Sequence, residues 1–107
     1  MEVHRQLGIG FKEIVYKDAL EIELQEMGIS FERERLYKIE YKNKILRHKY
    51  CADFVLFGSI ILEVKSTPFI MNSFIAQTIN YLKASVLQLG IIANFGEKSF
   101  TSKRVVF

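Results

Sequence analysis

Tyr50-Cys51-Ala52-Asp53-Phe54-Val55-Leu56-Phe57-Gly58-Ser59-Ile60-Ile61-Leu62-Glu63-Val64-Lys65-Ser66 holds two apolar, β-branched and aromatic runs on either side of Gly58-Ser59. Such a pattern predicts an antiparallel hairpin in the most buried part of a sheet. Three ionisable residues interrupt it: Asp53 in the first run, Glu63 and Lys65 in the second. Strand side chains alternate with a period of two, so Glu63 and Lys65 project from one face. A three-residue loop, Phe57-Gly58-Ser59, sets Asp53 opposite Glu63, whereas a two-residue turn throws them onto opposite faces unless a bulge intervenes. The even register, or a bulge, is expected.

A buried lone carboxylate costs several kcal/mol unless it is paired or holds a cation. Two carboxylates and an ammonium on neighbouring central strands concentrate that cost. Two readings stay open. In the first, Lys65 forms a structural salt bridge with Asp53 or Glu63. In the second, Asp53 and Glu63 supply hard oxygen ligands to Mg²⁺ or Mn²⁺, and Lys65 stands beside the ion to orient a water or hold a phosphate oxygen.

Outward from the hairpin, the chain reads as helix, about three strands, helix, and one or two strands. Residues 10–27 read as a helix, with Tyr16, Leu20, Leu24 and Met27 at helical spacing and Gly28 at its end. Residues 31–42 read as a strand with a solvated face or an edge strand, followed by a turn at Asn43-Lys44 and a short strand through Ile45 and Leu46. Pro68 closes the second hairpin strand, residues 70–87 read as a helix, 89–95 as a buried strand, and 99–107 as a last strand. The helix over 70–87 suits a crossover between parallel strands. The fold class is therefore α/β or α+β with a mixed central sheet, in a single domain over residues 1–107.

Two polar residues of the second helix point to the same place. Gln77 and Tyr81 fall in the stripe Ile70, Phe74, Gln77, Tyr81 and Ala84, from which both could reach a phosphate backbone or a metal-bound water. The alternative is that Gln77 bonds to nearby backbone and Tyr81 is core. Glu13 shares the face of Tyr16, Leu20 and Leu24, where a first-turn glutamate also suits the helix dipole. Cys51 reads as a small core residue. Lys42, Lys44, Arg47 and Lys49 make the densest basic segment, read as a solvated loop or a phosphate-contacting rim.

Composition narrows the function. The chain has 107 residues, 50% hydrophobic and 25% charged, with net charge +3, which excludes a disordered or low-complexity chain. One cysteine excludes an internal disulfide framework and a multi-cysteine zinc site. No apolar run approaches the ~20 residues of a membrane helix, and no apolar stretch follows a basic start, so neither a membrane partner nor a signal peptide is expected. A cytoplasmic setting follows as an expectation. There is no glycine-rich phosphate loop, nucleophile elbow or zinc-deaminase signature.

These residues resemble a known family. Gly10-Phe11-Lys12-Glu13-Ile14-Val15-Tyr16 matches a GxxExxY pattern. Asp53 followed by Glu63-Val64-Lys65 looks like the core of the PD-(D/E)XK nuclease superfamily, and Gln77-Thr78-Ile79-Asn80-Tyr81 is similar to the QxxxY motif of its RecB-type branch. Asn94-Phe95-Gly96 and Lys103-Arg104-Val105 look like the closing segments of GxxExxY proteins. Ala52 stands where the superfamily has its eponymous proline. The resemblance implies a restriction-endonuclease-like core of helix, three-stranded meander, helix and strand. It also implies metal-dependent phosphodiester hydrolysis, with Asp53, Glu63 and the Val64 carbonyl binding Mg²⁺ (or Mn²⁺). Glu13 would complete the metal's inner or outer sphere. Lys65 would position or activate the attacking water, while Gln77 and Tyr81 position the nucleic acid or Lys65. The implied partner is nucleic acid, DNA ahead of RNA. The alternatives are a catalytically inactive module that keeps the fold and binds nucleic acid or protein, and a structural subunit that forms a homodimer through Val105-Val106-Phe107.

Overall fold

The structure, a computed structural model, describes residues 1–107. The hairpin is built as the sequence predicts. Strand β4 (Tyr50–Leu56) pairs antiparallel with β5 (Ile60–Lys65), Leu56 opposite Ile60, Val55 opposite Ile61 and Phe54 opposite Leu62. This is the even register. The loop reverses through two left-handed residues, Phe57 (φ 54) and Gly58 (φ 66), and Ser59 N–H donates to the Leu56 carbonyl at 3.0 Å. A left-handed Phe is strained, and its N–H is held by the Ser30 carbonyl at 2.9 Å.

Strand β1 (Phe31–Tyr37) lies antiparallel on the other side of β4, so β1, β4 and β5 form the expected meander. The strand expected over 31–42 is interrupted after Tyr37. Beyond it, β2 (Glu40–Tyr41) and β3 (Lys44–Ile45) make a separate two-stranded ribbon. Its turn is at Lys42-Asn43, both at positive φ, one residue earlier than expected. Two consecutive positive-φ residues are what a tight hairpin turn requires, and Asn tolerates that region well.

The first long helix, α2 (Glu13–Glu26), starts three residues later than expected and buries Tyr16, Leu20 and Leu24. Gly28 (φ 70) ends it, but Met27 is exposed and not part of the stripe. A short helix, α1 (Glu2–Leu7), precedes it; six residues burying only Val3 leave no periodicity to read. Helix α3 (Asn72–Ser85) crosses from β5 to β6 (Leu89–Asn94), which pair in parallel, and β7 (Thr101–Val106) closes the sheet antiparallel to β6. The strand order is β1-β4-β5-β6-β7.

Alternation along the strands divides the core. Phe54, Leu62, Val64 and Ala93 pack towards α1 and α2 with Tyr16 and Phe95. Val55, Ile61, Ile92 and Val105 pack towards α3 with Leu82 and Tyr81. Gly90 lets α3 approach the sheet, since a Cβ there would stand 2.5 Å from the Thr78 methyl. Cys51 is exposed rather than core. No helix is long and apolar enough to cross a membrane.

Candidate active site at the opened strands

The sheet ladder fails in one row. The β1–β4 pairing skips Glu34 and Asp53, and the β4–β5 pairing stops before Asp53 and Glu63. Glu34 is itself at positive φ (56). Ala52 and Val55, three residues apart, both join the α3-side cluster, so the side-chain alternation slips in between, at Asp53.

Side chains take over the hydrogen bonds that the ladder gives up. Val64 N–H donates to Asp53 Oδ2 at 2.7 Å, and Asp53 N–H to Glu63 Oε1 at 3.4 Å. Each carboxyl group thus receives a backbone N–H of the other's strand. Backbone donors must be satisfied when buried, which fixes both side chains. Glu63 is 3% exposed, and its pKa is pushed up to about 9, first by burial and then by the charge of Asp53.

Two residues on, Lys65 donates to Gln77 Oε1 at 3.2 Å and stands 4.6 Å from the centre of the Phe74 ring. Gln77 is exposed, so it does not sit in a buried row; it holds the ammonium from the solvent side. Tyr81 is 8% exposed and meets Tyr50 edge-on at 5.2 Å. Its hydroxyl is pushed up to about 12 by burial and by the charges of Glu63 and Asp53.

Asp53, Glu63, Val64, Lys65, Gln77 and Tyr81 therefore gather around one end of β5. Glu13 is an exposed first-turn residue of α2, and no three Asp, Glu, His or Cys side chains stand close enough to hold an ion by themselves. The segment around Glu13 is nevertheless tied to this end of β5. Tyr16, fully buried, donates to the Gly8 carbonyl at 2.7 Å and accepts from Phe11 N–H at 3.3 Å. Ser66 Oγ, just beyond Lys65, donates to the Phe11 carbonyl at 3.1 Å.

Lys17 and Glu34 were not foreseen from the sequence. Lys17 Nζ lies 3.1 Å from Asp53 Oδ1 and 3.0 Å from Glu34 Oε1. Burial pulls its pKa down, but the two carboxylates outweigh that and raise it. On a helix read alone, Lys17 is a polar residue beside Tyr16. Only the register that puts Glu34 opposite Asp53 would have exposed its role.

The donor chemistry fits a small divalent ion. Mg²⁺ is commonly held by one or two carboxylates and keeps several waters, so a third side-chain ligand is not required. Asp53 and Glu63 are hard donors with facing oxygens. No surface cavity is lined by Asp53, Glu63 or Lys65. Solvent reaches the group through Gln77 and the partly exposed Asp53 and Lys65.

A family model for the PD-(D/E)XK nuclease superfamily matches residues 1–105. Among solved structures, the crystal structure of SSO0001 is similar in fold, with a TM-score of 0.68 at 20% identity. The match covers 86% of this chain and 48% of that one, so this chain spans about half the length of SSO0001. No curated protein matches. The mixed sheet, the opened strand pair and the match along nearly the full sequence agree: the chain belongs to the PD-(D/E)XK nuclease superfamily.

Proposed function

We propose that the protein is a metal-dependent nuclease that hydrolyses phosphodiester bonds of nucleic acid, DNA ahead of RNA, and that it is a GxxExxY protein of the RecB-type branch. One observation carries this reading: two carboxyl groups from opened strands face each other, one almost fully buried with its pKa at about 9, and Lys65 follows on the same strand. Asp53, Glu63 and the Val64 carbonyl would hold Mg²⁺ or Mn²⁺, with Glu13 in its inner or outer sphere. Such an ion supplies charge neutralisation at a phosphate and lowers the pKa of a water.

The chain's own residues do the rest. Val64 N–H and Lys17 fix the two Asp53 oxygens, so its orientation is set before any ligand arrives. Glu63 would give up its proton to a bound cation, since what keeps the proton there is burial, the charge of Asp53 and a hydrogen bond with Asp53. Gln77 holds the Lys65 ammonium at 3.2 Å, aimed to position an attacking water or a phosphate oxygen. Tyr81 stays protonated at all ordinary pH and braces Tyr50 beside the carboxyls.

A catalytically inactive, nucleic-acid-binding module is the second reading. Lys17 favours it, since its ammonium already neutralises Asp53. Mn²⁺ titration and a cleavage assay on DNA and RNA separate the two. The nuclease reading expects saturable Mn²⁺ binding and cleavage in the wild type. Asp53→Asn should lose both, and Lys65→Ala should lose cleavage while binding Mn²⁺ within a few-fold of wild type. Wild-type protein that binds Mn²⁺ but cleaves neither nucleic acid supports the inactive module.

A further inference from the structure

The ribbon of β2 and β3 packs against neither core cluster, and every residue from Glu40 to Lys49 is exposed. It is nonetheless built. Lys42 and Asn43 form its turn, Leu46 N–H donates to the Ile39 carbonyl at 2.8 Å, and Lys42 Nζ stands 5.5 Å from the centre of the Tyr41 ring. Residues 38–49 carry Lys38, Lys42, Lys44, Arg47 and Lys49 against Glu40 alone, a net +4. The rest of the chain has ten basic and eleven acidic residues, a net −1. The chain's whole positive balance of +3 therefore sits on one ordered arm that buries nothing.

The arm also has a fixed place relative to the site. It is inserted between β1 and β4, which meet at Tyr37 and Tyr50. Asp53 lies three residues along β4 from Tyr50, roughly 10 Å at strand rise. On α3, Gln77, which accepts from Lys65, lies one helical turn before Tyr81, which meets Tyr50 at the arm's base. Aromatic contacts run from the arm's base inwards: His48 to Tyr50 at 5.0 Å, then Tyr50 to Tyr81 at 5.2 Å.

We propose that this arm grips the phosphate backbone of a DNA duplex, the ribbon entering the major groove and its basic side chains meeting the phosphates on either side. A two-stranded ribbon is an element that the major groove admits, and lysines and arginines supply the sequence-independent part of such binding. The +4 arm complements the polyanion, while the near-neutral body contributes little. The inference rests on the nuclease reading for its choice of partner, and it assigns to the arm the strand-holding that the site lacks.

The test is fluorescence anisotropy on a short labelled DNA duplex and its single strand, in EDTA so that nothing is cut, over a salt series. The variant is Lys42→Ala/Lys44→Ala/Arg47→Ala/Lys49→Ala. The control is Lys103→Ala/Arg104→Ala on β7, the opposite edge of the sheet. The arm variant should melt like wild type. It should bind the duplex at least tenfold more weakly near physiological salt. The slope of its log K against log salt should fall by up to about 3–4, since each phosphate that is no longer neutralised removes about 0.9. The control should weaken less per charge removed. An arm variant with wild-type affinity and slope, or a control that weakens as much per charge, overturns the proposal. So does arm-dependent binding that prefers the single strand. Arm-dependent duplex binding without cleavage in Mn²⁺ keeps this inference and removes the nuclease reading. A wild type that binds neither probe overturns this inference, while the nuclease reading is decided separately by cleavage of DNA and RNA in Mn²⁺.

Discussion

Replacing Glu63 by Gln tests the central claim about the site without a substrate. Glu63 is 3% exposed and its pKa is raised from 4.5 to about 9. The native state therefore keeps a proton that the unfolded chain releases above pH 4.5. Its stabilising effect is whole below that pH and is lost progressively as pH rises towards 9. At pH 7 the gap from the unfolded value is about 2.5 pH units, which at ~1.4 kcal/mol per unit costs wild type up to about 3 kcal/mol relative to acid conditions. Gln has the same shape, keeps an oxygen for Asp53 N–H and does not titrate. Glu63→Gln should therefore match wild type near pH 4.5 and gain on it steadily, reaching up to about 3 kcal/mol at pH 7, or a Tm higher by roughly 10 °C or more. The assay is urea unfolding of both proteins from pH 4.5 to 8 in EDTA. Other carboxylates titrate in both, so the difference isolates Glu63. If the two stability curves run parallel over that range, Glu63 ionises normally and the reasoning fails. In the nuclease reading, Mg²⁺ added at pH 8 should raise the wild-type Tm and leave Glu63→Gln almost unmoved.

Lys17→Met removes the ammonium between Asp53 and Glu34. In calorimetric titration Mn²⁺ affinity should rise by about tenfold, since a unit positive charge leaves the immediate neighbourhood of the ion, while the metal-free protein loses about 1 kcal/mol. Weaker Mn²⁺ binding would instead make Lys17 a support of the site. Asn94→Ala should cost about 3 kcal/mol in thermal unfolding, because fully buried Asn94 serves Thr67 N–H, Gly96 N–H, the Thr67 carbonyl and the Glu97 carboxylate. A Tm drop of only a few degrees would mean that water replaces those bonds.

The meander, the crossover helix and the even register of the hairpin were legible because each rests on local pattern: apolar runs, a three-residue loop and a period of two. The even register needed only Phe57-Gly58-Ser59 to be counted as the loop, and the chain closes it that way. What was not legible depends on contacts between distant segments. Helix α1 is held by His4 bonding to the Glu97 carbonyl at 2.8 Å and stacking on Phe95, neither of which leaves a trace in residues 2–7. Gln77 looked buried because its stripe is apolar, yet it is exposed on α3, and there its amide can hold Lys65.

The opened row explains why polar residues survive in the middle of this sheet. A continuous ladder would leave the Asp53 and Glu63 side chains to compete with satisfied backbone, burying their charge for nothing. Here the strands part and the carboxyls become the acceptors for Asp53 N–H and Val64 N–H. Removing either carboxyl then strands a buried donor, at about 1–3 kcal/mol, in addition to removing a charge. Glu63→Gln keeps the acceptor for Asp53 N–H, and Asp53→Asn keeps one for Val64 N–H while turning its NH₂ towards Lys17, so the amides separate chemistry from folding better than alanine does. Lys17 completes the logic. At hydrogen-bond distance from both, it shares its one positive charge between Glu34 and Asp53 on the outer side of the row, while Glu63 on the inner side is kept protonated by burial and by the charge of Asp53. In the nuclease reading a cation would sit on the inner side of Asp53, facing Glu63, and would take the place of the Glu63 proton.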